Sequence, residues 1–272
     1  MLLFDRGASL ATCIQSGIVS AALTVSVTSV CQLPKPTPIA HTTKPTPRAV
    51  LATAEVKPQP AAIAVPTRLV DCAVEPCLAL TFDDGPDIRT TPHLLDTLAA
   101  YQVKATFFML GSQVAKYPDL ARRVERAGHE VGNHSWGHGD FSKLQPVQMV
   151  EDISHTQATF VSSGLSQPRL FRPPYGVHTP AVQHTVPMTL VYWNIDPQDW
   201  NAKDPAQLAA AVVASAKPGG IIVLHDIKPV TVAAAAQFLA ALKPHYNLVT
   251  VSTLMGLTPD SPKSEIFSRP AR

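Results

Sequence analysis

From about Arg68 onward, short continuous apolar runs alternate with longer stretches of helical period. Cys77–Phe82 is apolar at every position but Thr81, and continuous hydrophobicity marks a strand buried on both faces. Ala105–Leu110, Met188–Trp193 and Gly220–Leu224 carry the same signature, and Glu130–Asn133, Leu170–Phe171 and Asn247–Val249 read as shorter strands. Between them the pattern predicts helices from Pro92 to about Tyr101 with Thr91 as cap, from Pro118 to Gly128, and from Pro146 to Ser163. Two more run from Asp204-Pro205 to Ala216 and from Thr231 to Leu242. Proline at the first helical position costs no hydrogen bond, and glycine after the last turn accepts a left-handed backbone. Strand–helix alternation with buried strands implies a parallel sheet covered by helices. About seven strands in ~190 residues predict a distorted (β/α) barrel, short of the full eightfold form. From Pro259 the chain turns polar, so 259–272 is expected to be a flexible tail.

The first 66 residues break the pattern. No Asp, Glu, Lys or Arg occurs between Gly7 and Pro34, and Ile18–Val30 is apolar though rich in Ser and Thr. Residues 1–33 therefore read as a signal peptide or N-terminal membrane anchor. Prolines 34, 36, 38, 45, 47, 58, 60 and 66 make 34–66 an extended Pro/Thr/Ala-rich linker, because proline removes amide donors and fixes φ. The globular domain is 67–258. An export segment followed by a spacer predicts a secreted or surface-tethered, extracytoplasmic protein, with membrane contact only through the N-terminal segment. In that setting Cys72 and Cys77, either side of a turn-forming proline, are candidates for a disulfide worth about 2 kcal/mol. Two free thiols is the competing reading. With 22 Lys+Arg against 20 Asp+Glu the net charge is only +2, which excludes a broad basic face for nucleic acid.

Polar residues collect just after the strands. Asp83 and Asp84 follow the first, His134 and His138 the third, and Arg172 the fourth. Asp196 and Asp199 follow the fifth, and His225 and Asp226 the sixth. In a parallel barrel all C-terminal strand ends open on one face, so these residues converge on one cleft. His134-Ser-Trp-Gly-His138 has i, i+4 spacing, which in a turn of helix sets two imidazoles on one side for a single metal. Two unrelated surface histidines is the plainer alternative. Thr81-Phe-Asp-Asp-Gly-Pro86 ends a buried strand with adjacent carboxylates. Neighbours on a strand point opposite ways, so separate roles are expected: one binds metal, the other acts on water. A simple strand-ending turn explains Gly85-Pro86 but not both aspartates. Two histidines and one carboxylate with open positions suit a catalytic Zn²⁺ or similar divalent ion. His129, His155, His184 and His245 read as surface or helix-face residues, Trp136 as packing under the metal loop or lining the groove, and Asp226 as support for the His225 loop.

Five segments, Thr81-Phe-Asp-Asp84, His134-Ser-Trp-Gly-His138, Arg172-Pro-Pro-Tyr175, Asp196-Pro-Gln-Asp-Trp200 and Val223-Leu-His225, resemble in order the motif set of the carbohydrate esterase family 4 polysaccharide deacetylases, the NodB-homology domain. The resemblance covers roughly Leu69 to Met255. It implies Asp83 as general base, with Arg172 paired to it, and Asp84, His134 and His138 as ligands of a divalent ion, Zn²⁺ first and Co²⁺ as another candidate. It implies that the Tyr175 N–H helps hold the oxyanion and that Trp200 walls the substrate groove. His225 would be the general acid, kept protonated by Asp199. Val223 departs from the leucine usual in the family, which implies a slightly wider acetyl pocket.

Amide hydrolysis asks for the same parts. The leaving amine departs only when protonated, so an imidazolium favours N- over O-deacetylation. The expected function is removal of N-acetyl groups from a cell-wall-type polysaccharide, peptidoglycan N-acetylglucosamine first. Chitooligosaccharide deacetylation and acetylxylan esterase activity are alternatives on the same site. A non-catalytic cell-wall-binding module is the alternative of another class, and retention of both Asp83 and His225 argues against it.

Overall fold

The structure, a computed structural model, describes residues 70–269. The expected signal or anchor (1–33) and linker (34–66) lie outside the described residues. Eight strands form the sheet: β1 (Cys77–Asp83), β2 (Thr106–Met109), β3 (Glu130–Asn133), β4 (Leu170–Phe171), β5 (Thr189–Val191), β6 (Ile221–His225), β7 (Asn247–Val249) and β8 (Glu265–Ile266). Every pairing is parallel. The order is β6-β1-β2-β3-β4-β5-β8, with β7 also on β1. The chain just past β5 meets β6 through an Ile195–Ile222 bridge, so the sheet curls into a partly closed barrel.

β1 is its axis. All seven of its residues are buried, and the two-residue period divides them. Leu78, Leu80 and Phe82 pack outward with Leu94, Leu98 and Phe238 of the helices. Cys77 and Ala79 join Phe108, Val191 and Ile221 in a second cluster, and Thr81 and Asp83 continue their row. The register sets Asp83 beside Phe108 on β2 and beside His225 on β6. Asn133 lies level with Phe171, so His134 and Arg172 leave their strands side by side. These two alignments position the site.

Several sequence expectations are corrected. The polar tail is not loose where it is described: β8 pairs with β5, the Tyr192 N–H donates to the Ile266 carbonyl at 2.7 Å, and Phe267 stacks on Tyr192 at 4.6 Å. An unpaired β5 edge and two apolar residues, Ile266 and Phe267, outweigh the polarity around them. Thr91 is not a cap. The helix runs Thr91–Ala100 behind Thr90, and the Thr91 hydroxyl instead accepts from the Asp87 N–H (2.8 Å) and donates to Asp226 Oδ2 (2.5 Å). His129 is not at the surface. It is buried, accepts from the Ala105 N–H through Nδ1 and is pushed down to about 4 by burial. The helices Gly111–Lys116, Pro180–Thr185 and Val251–Met255 are too short to show a period. Cys72 and Cys77 are joined in a disulfide with Cα atoms 5.4 Å apart. Among the described residues no helix is long and apolar enough to cross a membrane.

Candidate active site

The C-terminal strand ends open on a cleft of about 480 Å³ lined by Asp83, Asp84, His134, His138, Tyr175, Trp200, Val223 and His225. Asp84, His134 and His138 offer ligand atoms that all lie within 4.8 Å of one another. Asp84 Oδ1 is 3.5 Å from His134 Nε2 and 3.5 Å from His138 Nε2. That oxygen is buried and has no hydrogen-bond partner among the described residues. Two ligands held tetrahedrally at about 2.1 Å from a zinc sit about 3.4 Å apart, so spacing and orphaned oxygen both fit a divalent ion. His134 Nδ1 lies 2.7 Å from the Arg172 carbonyl, which only accepts, so the proton is on Nδ1 and the Nε2 lone pair faces the cleft. Burial holds His134 down to about 3, against the pull of Asp84, so the ring is neutral as a metal ligand must be.

The loops reach this arrangement through left-handed backbone. Asp84 has φ 75°, Ser135 72°, His138 61° and Tyr175 59°. Non-glycine residues there are strained, and such strain concentrates at functional sites. The expected helical turn for His134–His138 is therefore corrected: it is a tight turn with two left-handed residues, in which Ser135 Oγ accepts from the His138 N–H at 3.0 Å. The aspartate pair is corrected too. β1 ends at Asp83 and the positive φ of Asp84 turns the next carboxylate into the same cleft, so the two converge. His134 Nε2 is 3.9 Å from Asp83 Oδ2.

Arg172 is fully buried inside the barrel, over the Phe108 ring at 4.1 Å. Its Nη1 donates to Asp83 Oδ1 (2.8 Å) and Thr81 Oγ1 (2.7 Å), and its other nitrogens donate to the Val191 and Tyr192 carbonyls. Burial pushes the Asp83 carboxyl above its usual range, while Arg172 and His225 pull it back. Across the cleft, His225 Nδ1 lies 2.7 Å from Asp199 Oδ1, and Asp199 Oδ2 accepts from the His225 N–H (2.7 Å) and the Thr231 hydroxyl (2.6 Å). Burial alone would lower His225. The Asp199 hydrogen bond and charge, with the charges of Asp83 and Asp84, outweigh it and raise the imidazole to about 9.

The model of the family described as polysaccharide deacetylase matches residues 71–189. Peptidoglycan-N-acetylglucosamine deacetylase of Bacillus cereus is 40% identical over 190 residues, covering 66% of this chain and 89% of that protein. The chain belongs to the polysaccharide deacetylase family. Peptidoglycan-N-acetylglucosamine deacetylase PgdA of Listeria monocytogenes is 39% identical over 181 residues, 66% of this chain and 39% of that protein. The chain thus spans about two fifths of the length of that longer relative. Among solved structures, a family 4 acetyl xylan esterase from Clostridium thermocellum in complex with a cobalt ion is 36% identical. The match has a TM-score of 0.66 and covers 72% of this chain and all of that one (100%).

Within this polysaccharide deacetylase fold, the ten residues to which the resemblance gives a role come together, and of the other two expected at the strand ends Asp196 lines the cleft and Asp226 does not. Trp200 is 55% exposed on the rim, and Tyr175, 69% exposed, sets its ring edge on His138 at 4.4 Å. The Tyr175 N–H makes no hydrogen bond among the described residues. Trp136 packs on His155 of the helix Pro146–Ser162, with ring centroids 4.1 Å apart. Asp226 does not hold His225. Its buried carboxyl packs against Gly85, where a Cβ would lie 2.1 Å from Oδ2. Sequence reasoning missed Thr81, Thr231 and Trp193, which lines the cleft. Trp193 closes the predicted Met188–Trp193 strand, so the strand-end rule would have found it. The threonines carry no such signal, since a hydroxyl that orients a charge looks like any other. Asp199→Asn is expected to shift the alkaline limb of the pH–rate profile of acetate release toward the ordinary histidine range near 6.5, because it removes the largest influence raising His225. An unchanged alkaline limb would refute that role.

Proposed function

We propose that this chain is a divalent-metal-dependent hydrolase that removes N-acetyl groups from a cell-wall-type polysaccharide, peptidoglycan N-acetylglucosamine first. The observation that carries the reading is the placement of the Arg172-paired Asp83 carboxylate beside the Asp84, His134 and His138 set, with the Asp199-bound His225 in the same cleft. Asp84, His134 and His138 would hold the ion, Zn²⁺ in our reading. The ion supplies Lewis acidity, which acidifies a water and polarises the acetyl carbonyl.

The protein's own groups do the rest. Asp83 takes a proton from the attacking water as its oxygen bonds to the acetyl carbon. Arg172 fixes the Asp83 oxygens and keeps the carboxyl available as a base despite burial. The Tyr175 N–H offers a hydrogen bond to the oxygen that gains negative charge. His225, protonated below about 9, gives its Nε2 proton to the amide nitrogen. The C–N bond then breaks, leaving acetate and a free amine on the sugar. Trp200 and Trp193 give the sugar ring apolar walls. Val223 leaves room around the acetyl methyl. Because the wall polymer lies outside the cell, we infer an extracytoplasmic setting, which the Cys72–Cys77 disulfide also favours.

The test is acetate release from N-acetylglucosamine oligomers and from peptidoglycan fragments, with zinc or cobalt added and then with chelator. Release that stops with chelator and returns with metal is the expected result. Release from O-acetylated xylan alone, or none at all, overturns the reading.

A further inference from the structure

The cleft continues on both sides of the metal-ligand set. A cavity of about 360 Å³ adjoins it through Asp84 and His138, and another of about 510 Å³ adjoins it through Trp200 and Lys228. The two arms differ in charge. On the first, Arg89 is already bound to Asp87 at 2.9 Å. On the second stand Lys203 and Lys228, and neither side chain forms an ion pair or hydrogen bond among the described residues. Asp199, the carboxylate lining that arm, is buried and committed to His225 and Thr231. Asp196, lining the central cleft, pairs with neither lysine. The helices Pro205–Ser215 and Pro229–Leu242 both begin there; the Asp204 carboxylate caps the first, accepting from the Ala206 N–H at 2.8 Å, and the second starts behind Lys228 with no side-chain cap, so its N-terminal end adds positive potential. The arm therefore joins an exposed indole, suited to a sugar face, to two ammonium groups that form no ion pair among the described residues.

We propose that Lys203 and Lys228, beside Trp200, are specificity-determining residues that bind a carboxylate carried by the sugar next to the one deacetylated. The inference rests on the deacetylase reading and deepens it. A neutral chitin or xylan chain offers these lysines nothing, whereas a glycan in which every second sugar bears a lactyl ether sets a carboxylate, free wherever no peptide is amide-linked to it, one inter-sugar step from the reacting acetamide. Ammonium groups on flexible stems suit such a carboxylate, because they follow it without a fixed fork geometry.

Two tetrasaccharides test this: alternating N-acetylglucosamine and N-acetylmuramic acid without peptide, and the same compound with its lactyl carboxylates methylated. At low salt the wild-type enzyme is expected to favour the free acid over the ester by about three- to tenfold in kcat/KM, carried by KM, as two exposed ion pairs allow. That preference should fade as salt rises. Lys203→Gln with Lys228→Gln is expected to bring acid and ester to parity, and Lys203→Arg with Lys228→Arg to keep the preference. Equal rates on acid and ester in the wild type, or a preference that survives the glutamine pair, overturns the assignment while leaving the deacetylase reading intact. No acetate from either compound overturns both.

Discussion

Asp83→Asn is expected to lower kcat for acetate release by about 10²- to 10⁴-fold while zinc still binds, the span that losing a positioned general base produces. Asparagine fits the same space and still accepts from Arg172 Nη1, which lies 2.8 Å from Asp83 Oδ1. What it loses is proton affinity. The residues proposed to hold the ion are others, and His134 Nε2 is closer to Asp84 (3.5 Å) than to Asp83 (3.9 Å). KM should move little, because the loss falls on the transition state. Wild-type turnover by this variant would mean that another group takes the proton.

Arg172→Met is expected to destabilise the domain by about 3–5 kcal/mol and to abolish activity, because it strips the counter-charge from a buried carboxylate. Methionine nearly fills the stem's volume, so the loss is chiefly electrostatic. Arg172 is fully buried and Asp83 is 3% exposed, so water cannot replace the guanidinium. Four hydrogen bonds also go, to Asp83, Thr81 and the Val191 and Tyr192 carbonyls. The pH dependence has a definite sign. Burial raises the folded-state pKa of Asp83 above its ordinary value, and without Arg172 it rises further. Folding then takes up a proton, so the deficit is largest near neutrality and shrinks as pH falls through the raised pKa. Urea denaturation at pH 7 and pH 5 measures both, and a deficit under 1 kcal/mol at pH 7, or one that grows in acid, goes against this picture.

Much of this was legible in the sequence because two strong rules coincide. Buried parallel strands are continuously apolar, and their C-terminal ends share one side of a barrel, so Asp83, His134, Arg172, Asp199 and His225 could be placed together from their positions after strands. What stayed hidden depends on backbone geometry or on long-range pairing. The left-handed residues 84, 135 and 138 bring two carboxylates and two imidazoles to one point, and nothing in Asp-Asp or His-Ser-Trp-Gly-His demands that conformation. β8 lies in a polar segment and forms because β5, some 75 residues earlier, offers an open edge. The two unpaired lysines were invisible for the same reason. A lysine in a loop reads as solvated charge until the fold shows which carboxylates are already committed.

Zinc titration calorimetry of the wild type, Asp83→Asn and Asp84→Ala tests the shared-ion arrangement most directly. The wild type and Asp83→Asn should each bind one zinc per chain with similar affinity, and Asp84→Ala should bind it at least about tenfold more weakly. Undiminished binding by Asp84→Ala, or loss of binding in Asp83→Asn, would contradict an ion gripped by Asp84, His134 and His138 beside a free Asp83 carboxylate.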